Sequence, residues 1–210
     1  MKRLIISILV FFALGFARAQ TVAEVFIEMP DEMIIQLEEA WRKDIIDLYK
    51  SGKPAVLTNT MQGRSELKIL TDNYLLLETT ERSTLELKLL PLVNNTHIIC
   101  LISTCYAPAP DSKVEFYSTN WQKISGTELF TPATGAWFLK ENADTASVQY
   151  GQAISLIYFD LIRYSLNAND NRLTAEFTYP QYLSEEERAN LQPFLKEDRK
   201  IYEWRLSRFE

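Results

Sequence analysis

Few residues in this chain have types and spacings that could do chemistry. His97 is the one histidine, so neither a histidine metal cluster nor an H-E-x-x-H zinc site can be assembled. A lone imidazole where a strand begins reads as a surface or turn residue. Gly63-Arg64-Ser65 starts as a nucleophile elbow would, but Leu67 stands where the closing glycine belongs. A serine hydrolase would also need His97 as its base. Asp160 is the candidate functional carboxylate: if residues 154–166 form a strand, it shares a face with Tyr158 and Ile162. An acid on such an apolar face would have the raised pKa of a general acid. The structural reading places it near an edge, paired with a base such as Arg172 across a hairpin. Asn167, Asn169, Asp170 and Asn171 offer oxygens to a calcium ion, yet they lack the acid spacing and terminal glutamate of a calcium loop, and a tight turn explains them. No catalytic residue, metal or cofactor is expected.

Cys100 and Cys105 are the chain's two cysteines. Both fall in Thr96 to Tyr106, which reads as one strand. Five residues apart on a strand means opposite faces and roughly 16 Å of separation, beyond the roughly 7 Å Cα limit for a bridge. Two unpaired thiols are expected, with Cys100 packed as a small hydrophobe.

The elements that would position these residues are legible as changes of period. Val22 to Ile27 reads as a short extended or turn segment. A helix is predicted from Pro30, with Asp31 and Glu32 at the positive end of its dipole and Ile34, Leu37, Trp41, Ile45 and Leu48 along one face. It ends at Gly52, and a break into two helices near Glu38-Glu39 is an open alternative. From Arg64 to Ile124 the period is two: Leu67 and Ile69 alternate with Glu66 and Lys68, and Leu85, Leu87 and Leu89 with Glu86 and Lys88. These are half-buried strands separated by short polar turns, an antiparallel meander. Residues 125–153 read as a long irregular connection, the best place for a boundary between two lobes. Ile154 to Leu166 is predicted as a strand forming a hairpin with Leu173 to Tyr179. Ser184 to Glu187 is a capping box opening a short helix, and Tyr202, Trp204 and Leu206 mark a closing strand. The fold class is α+β, predominantly antiparallel sheet with an N-terminal helical segment and a short C-terminal helix. A mature region of 20–210 is expected, with lobes at 20–125 and 150–210.

The first residues bound location. Lys2 and Arg3 precede an apolar run from Leu4 to Phe16, which ends in Ala17-Arg18-Ala19. This is the layout of a cleavable secretory signal: the small side chains of Ala17 and Ala19 suit the peptidase, and Gln20 becomes the N-terminus. The run is short of the roughly 20 residues a membrane helix needs, so no stable membrane insertion is expected after cleavage. Losing Lys2, Arg3 and Arg18 takes the balance from 22 basic and 28 acidic residues to 19 against 28, a net of −9. With no basic patch in sequence, nucleic acid is not the expected partner. Asn94-Asn95-Thr96 is a glycosylation sequon, meaningful where the host modifies asparagine.

Met29-Pro30-Asp31, Leu70-Thr71-Asp72, Leu89-Leu90-Pro91, Ile98-Ile99-Cys100, Phe116-Tyr117 with Trp121, and Pro180-Gln181-Tyr182-Leu183-Ser184 together resemble an uncharacterised family of secreted proteins of gut-dwelling Gram-negative bacteria, which carry a domain of unknown function. The resemblance implies an exported, periplasmic protein and supplies no catalytic residues. The function expected from these readings is a non-enzymatic binding or adaptor protein of the cell envelope, acting on an envelope protein or ligand. A periplasmic hydrolase built from carboxylates distant in sequence is the alternative.

Overall fold

The computed structural model describes residues 20–210; the cleavage-site residues Ala17 and Ala19 lie outside them, and Gln20 donates from its side chain to Glu28 at 3.0 Å. The segment expected to be extended or turn is a helix, α1 (Val22–Ile27). The Thr21 hydroxyl accepts the Glu24 N–H and the Glu24 carboxylate accepts the Thr21 N–H, so two donors of the first turn are satisfied reciprocally. Six residues are too few to hold a helix alone. Burial of Val22, Val25 and Phe26 in the core holds it.

The single helix predicted from Pro30 is replaced by a 3-10 turn (Asp31–Met33) and α2 (Glu39–Lys50), the break falling next to the Glu38-Glu39 alternative. Arg42 fastens the intervening backbone. Its side chain is 1% exposed and donates to the carbonyls of Ile27 (3.0 Å), Leu37 (2.6 Å) and Met29 and to the Asp31 carboxylate (2.7 Å). Carbonyls freed by ending one turn and starting the next would otherwise be buried without a donor. Gly52, at φ +68°, takes the left-handed conformation that closes α2.

Strands β1 (Val56–Thr58), β2 (Arg64–Leu70), β3 (Tyr74–Thr80), β4 (Ser83–Pro91), β5 (His97–Tyr106), β6 (Pro110–Ser118) and β7 (Lys123–Ile124) form a seven-stranded antiparallel sheet in sequence order, as the turn spacing predicts. Leu67, Leu75, Leu77, Leu85, Leu87 and Leu89 pack beneath α1 and α2. The opposite face is not solvated, and here the half-buried reading of β4 is corrected. Glu86 is 6% and Lys88 0% exposed, because a second sheet covers them.

That sheet comes from the second half of the chain. Ile154 to Leu166 is not one strand: α3 (Val148–Ile154), capped by the Ser147 hydroxyl, is followed by an irregular loop and β8 (Ile162–Leu166). β8 pairs through the predicted hairpin with β9 (Arg172–Phe177); α4 (Glu185–Leu191) opens on the predicted capping box, Ser184 and Glu187; β10 (Lys200–Arg205) and the short β11 (Arg208–Phe209) close the order β11-β10-β9-β8. Leu206, predicted on the closing strand, lies in the β10–β11 turn. The two sheets share a core. Tyr74, Leu90, Ile98, Cys100, Ile102 and Phe116 from the first meet Ile162, Tyr164, Leu166, Leu173, Ala175 and Tyr202 from the second. Phe130, Ala133 and Phe138 enter the same core from the 125–153 connection, which includes a 3-10 turn (Gly135–Phe138). A smaller cluster of Ala153, Tyr179, Leu183, Leu191 and Leu195 lies under α3 and α4. Cys100 is buried, Cys105 is exposed, and both are free thiols.

Candidate functional site

The sequence-flagged residues do not converge. Asp160 lies in the loop before β8 rather than on a strand face with Tyr158 and Ile162, and its Oδ1 accepts the Gly135 N–H at 2.7 Å. A Cβ at Gly135 would stand 2.6 Å from that oxygen, so the contact requires glycine. Arg172, the suggested partner of Asp160, instead bonds Asp170 within the hairpin turn at 2.6 Å. The Ser65 hydroxyl is buried, donating to the Thr79 carbonyl at 2.7 Å and accepting from Asn59. His97 begins β5 opposite Pro91, with two strands between it and the strand of Ser65. In the Asn167–Asn171 turn the Asn167 and Ala168 carbonyls accept the Lys88 ammonium at 2.7 and 3.3 Å, so an internal cation already occupies these oxygens.

Besides Arg42 on the helical side, two buried charges, Glu86 and Lys88, lie between the sheets. Glu86 Oε2 accepts from the Tyr74 hydroxyl and the Leu166 N–H, both at 2.9 Å. Burial pushes its pKa up, against the lowering pull of those two donors and of Arg163. Burial lowers the Lys88 pKa, with Asp170 opposing, and raises the Tyr74 hydroxyl, with Glu86 adding to the rise. Each charged group reaches from the seven-stranded sheet to the β8–β9 hairpin. A carboxylate of raised pKa is what a general acid needs, but both donors to Glu86 are protein groups inside a packed layer. Its role is to pin the hairpin to the sheet.

The surface becomes unusual where the aromatic side chains lead out. Phe138 stacks on Phe177 (5.4 Å between centroids, 13° between planes) and Phe177 on Tyr179 (6.0 Å, 15°). Phe159 meets Tyr179 edge-on at 5.2 Å, and Tyr182 lies 5.8 Å from Tyr179 and 5.7 Å from Phe159. The column begins in the core and ends in the open: Tyr179 is fully buried, while Phe159, Tyr182 and neighbouring Tyr158 are 47%, 49% and 79% exposed. Monomer surfaces show single exposed apolar side chains routinely, but a cluster of rings marks a contact surface.

These rings are held in place. The Tyr179 hydroxyl donates to the Leu156 carbonyl at 2.6 Å and accepts the Tyr158 N–H at 3.4 Å. The Thr178 N–H donates to the Leu161 carbonyl at 3.0 Å, and the Thr178 hydroxyl donates to the Pro110 carbonyl at 2.5 Å. With Asp160 on Gly135, residues 155–161 are fastened at both ends, and the Tyr158 ring is left outside. An aromatic side chain on a fixed backbone loses little entropy when it is covered, so its contact area converts efficiently into affinity.

Beside the ridge runs a groove of about 530 Å³. Its apolar lining is Phe138, Phe177, Pro180 and Leu195, the first two from the same aromatic column, and Gln181, next in sequence to Tyr182, lines it too. Arg188 and Arg199 line it together with Glu176, which accepts from Arg163 at 2.6 Å and lies 3.7 Å from Arg199. Such ion pairing suits electrostatic recognition better than proton transfer. Among the described residues no group of three His, Cys, Asp or Glu side chains could hold a metal ion. Of the ridge and groove residues the sequence brings forward Tyr158, as a face-mate of Asp160, and Pro180, Gln181 and Tyr182, within the family resemblance, none of them as a binding residue. The cue that could have found them is the density of Tyr and Phe between 158 and 182.

Two packed antiparallel sheets with helices outside them give the chain an α+β fold. The chain belongs to the DUF3256 family, described as protein of unknown function, which it matches over residues 16–209. Its fold is similar to that of a solved structure, a domain of an uncharacterized protein from Porphyromonas gingivalis W83, with a TM-score of 0.82 and 22% identity over 91% of this chain and 98% of that one. No curated protein matches the chain.

Proposed function

We propose that this protein is a non-catalytic binding module of the cell envelope, exported through its N-terminal signal and cleaved before Gln20, whose ridge of Tyr158, Phe159 and Tyr182 docks a partner protein. The observation that carries this reading is the exposure of three rings on backbone that is itself fastened by buried hydrogen bonds. Tyrosine and arginine are the residue types that dominate interface energetics, and Arg188 and Arg199 lie in the adjoining groove. The acidic balance of the chain points to a protein rather than a phosphate polymer. Among the described residues no helix is long and apolar enough to cross a membrane.

The test is crosslinking in intact envelopes and recovery of the protein, comparing the natural chain with a Tyr158→Ala/Tyr182→Ala variant. A specific protein should be recovered with the natural chain and fall by about tenfold or more with the variant, since central interface rings contribute about 2 kcal/mol or more each. Recovery of the chain alone, or of the same partner in equal amount with the variant, contradicts the proposal.

A further inference from the structure

The ridge stands beside a groove of the kind that its own rings would fill. Phe177 belongs to both, lining the groove and stacking on Tyr179, and Gln181 lines the groove immediately before Tyr182 in sequence. From the ridge the rings of Tyr158, Phe159 and Tyr182 project. In the groove Phe138 and Phe177, stacked at 5.4 Å, offer an apolar wall together with Pro180 and Leu195. Its volume of about 530 Å³ falls in the range of pockets that enclose organic ligands, which leaves room for an aromatic side chain. A foreign partner would have to bring both a groove for the rings and a ring for the groove. A second copy of this chain brings both, and a two-fold axis between ridge and groove seats each ridge in the other copy's groove.

The charges around the groove favour the same occupant. Arg188, Lys196 and Arg199 line it, and so do Glu176, Glu197 and Asp198, so the two signs balance. An isologous contact lays a patch against its own copy: a patch of one sign would repel itself, whereas a balanced one apposes unlike charges. Several of these charges are not spent within one copy. Arg188 is held by the Pro180 and Leu183 carbonyls at 2.9 and 3.4 Å rather than by a carboxylate. Arg199 stands 3.7 Å from a Glu176 carboxylate that Arg163 already holds at 2.6 Å, and Glu197 and Asp198 are exposed. The area is sufficient. A covered aromatic side chain buries about 150–250 Å², so three rings exposed to this extent give up about 350 Å². Groove walls that receive the other copy's rings give up a similar area, and about 700 Å² per copy approaches the roughly 800 Å² per partner of a stable interface.

We propose that ridge and groove together form a two-fold interface between two copies of this chain. The inference rests on the ridge being a docking surface and names its partner: the adduct recovered from envelopes is then the chain joined to itself, at twice its mass. The test is sedimentation equilibrium of the chain from Gln20 onward, which holds every described element, at concentrations from about 1 to about 100 μM. A reversible monomer–dimer equilibrium is expected. Tyr158→Ala/Tyr182→Ala should raise its dissociation constant by about a hundredfold or more, because each ring acts twice across the axis. Glu197→Lys/Asp198→Lys changes two exposed side chains, so its folding is not in question, and leaves the patch almost wholly basic. This variant should raise the dissociation constant by about tenfold at low salt, with partial recovery at about 0.5 M salt. A chain that is monomeric throughout, or a dimer whose dissociation constant is unchanged in either double variant, overturns the proposal. A monomer whose position 158 crosslinks to a different protein removes the second copy as occupant while the ridge remains a docking surface; a monomer with no adduct removes both.

Discussion

Beneath α1 and α2 the seven-stranded sheet is covered by aliphatic side chains, with Leu75, Leu77, Leu87 and Ile99 fully buried, whereas its opposite face meets the four-stranded sheet through rings and two buried charges, Glu86 and Lys88. On the helical side Arg42 reaches four backbone or side-chain oxygens, and the Trp121 indole N–H donates to the Val25 carbonyl at 3.0 Å. On the other side each charge crosses the boundary to the β8–β9 hairpin. The first face is closed by apolar area, which is non-directional and indifferent to pH. The second is closed by directional contacts that fix where the hairpin sits. The proposed ridge continues from this second layer through Phe177 and Tyr179, so the position of the hairpin sets where its rings stand.

The largest expected effect breaks the helical side. Arg42→Ala leaves the carbonyls of Ile27, Met29 and Leu37 buried without a donor and should cost about 3–5 kcal/mol, read as a fall in the urea midpoint at unchanged slope. Glu86→Ala attacks the other face. It strips the Leu166 N–H and Tyr74 hydroxyl of their acceptor, at a cost of about 2–3 kcal/mol. The same carboxylate separates the faces by pH. Because its folded pKa is raised, the folded state holds the proton more tightly than the unfolded one. Its contribution is complete below the ordinary glutamate range and is lost as pH rises through the raised value. Lys88, lowered, contributes above the ordinary lysine range and loses that contribution as pH falls through its lowered value. Unfolding midpoints of the natural chain should therefore decline against those of Glu86→Gln as pH rises through the raised pKa of Glu86; parallel curves would mean that the carboxylate is not desolvated. The smallest effect is a gain: Leu206, at φ +46°, replaced by Asn should stabilise the chain by about 0.5–1 kcal/mol by relieving the left-handed backbone, seen as a higher melting temperature.

The meander was legible because β2, β4 and β6 alternate within their own few residues and short polar turns separate the strands, and the Ser184 capping box because it is a local pattern. The same kind of box at Thr21 and Glu24 opens α1, where the β-branched Val22, Val25 and Ile27 disguise the helix. Residues 154–166 are rich in strand-forming Ile, Tyr and Phe, but only 162–166 form a strand; the backbone before it is held by contacts with Gly135 and Tyr179, distant in sequence. Glu86 and Lys88 have the look of a solvated face because the sheet that covers them is supplied from residue 162 onward, and alternation alone does not distinguish a face open to water from one covered by distant chain. The ridge was hidden for a related reason. Whether Tyr158 is core or surface depends on where Tyr179 and Asp160 fasten the loop, and neither contact is local in sequence.

The most direct test of the binding account is site-specific photocrosslinking in intact cells from position 158, with position 61 as the reference, since Met61 is 61% exposed and lies outside the ridge. A discrete adduct with one protein from position 158, absent from position 61, is the predicted result; equal labelling from both positions, or an adduct from neither, would contradict it.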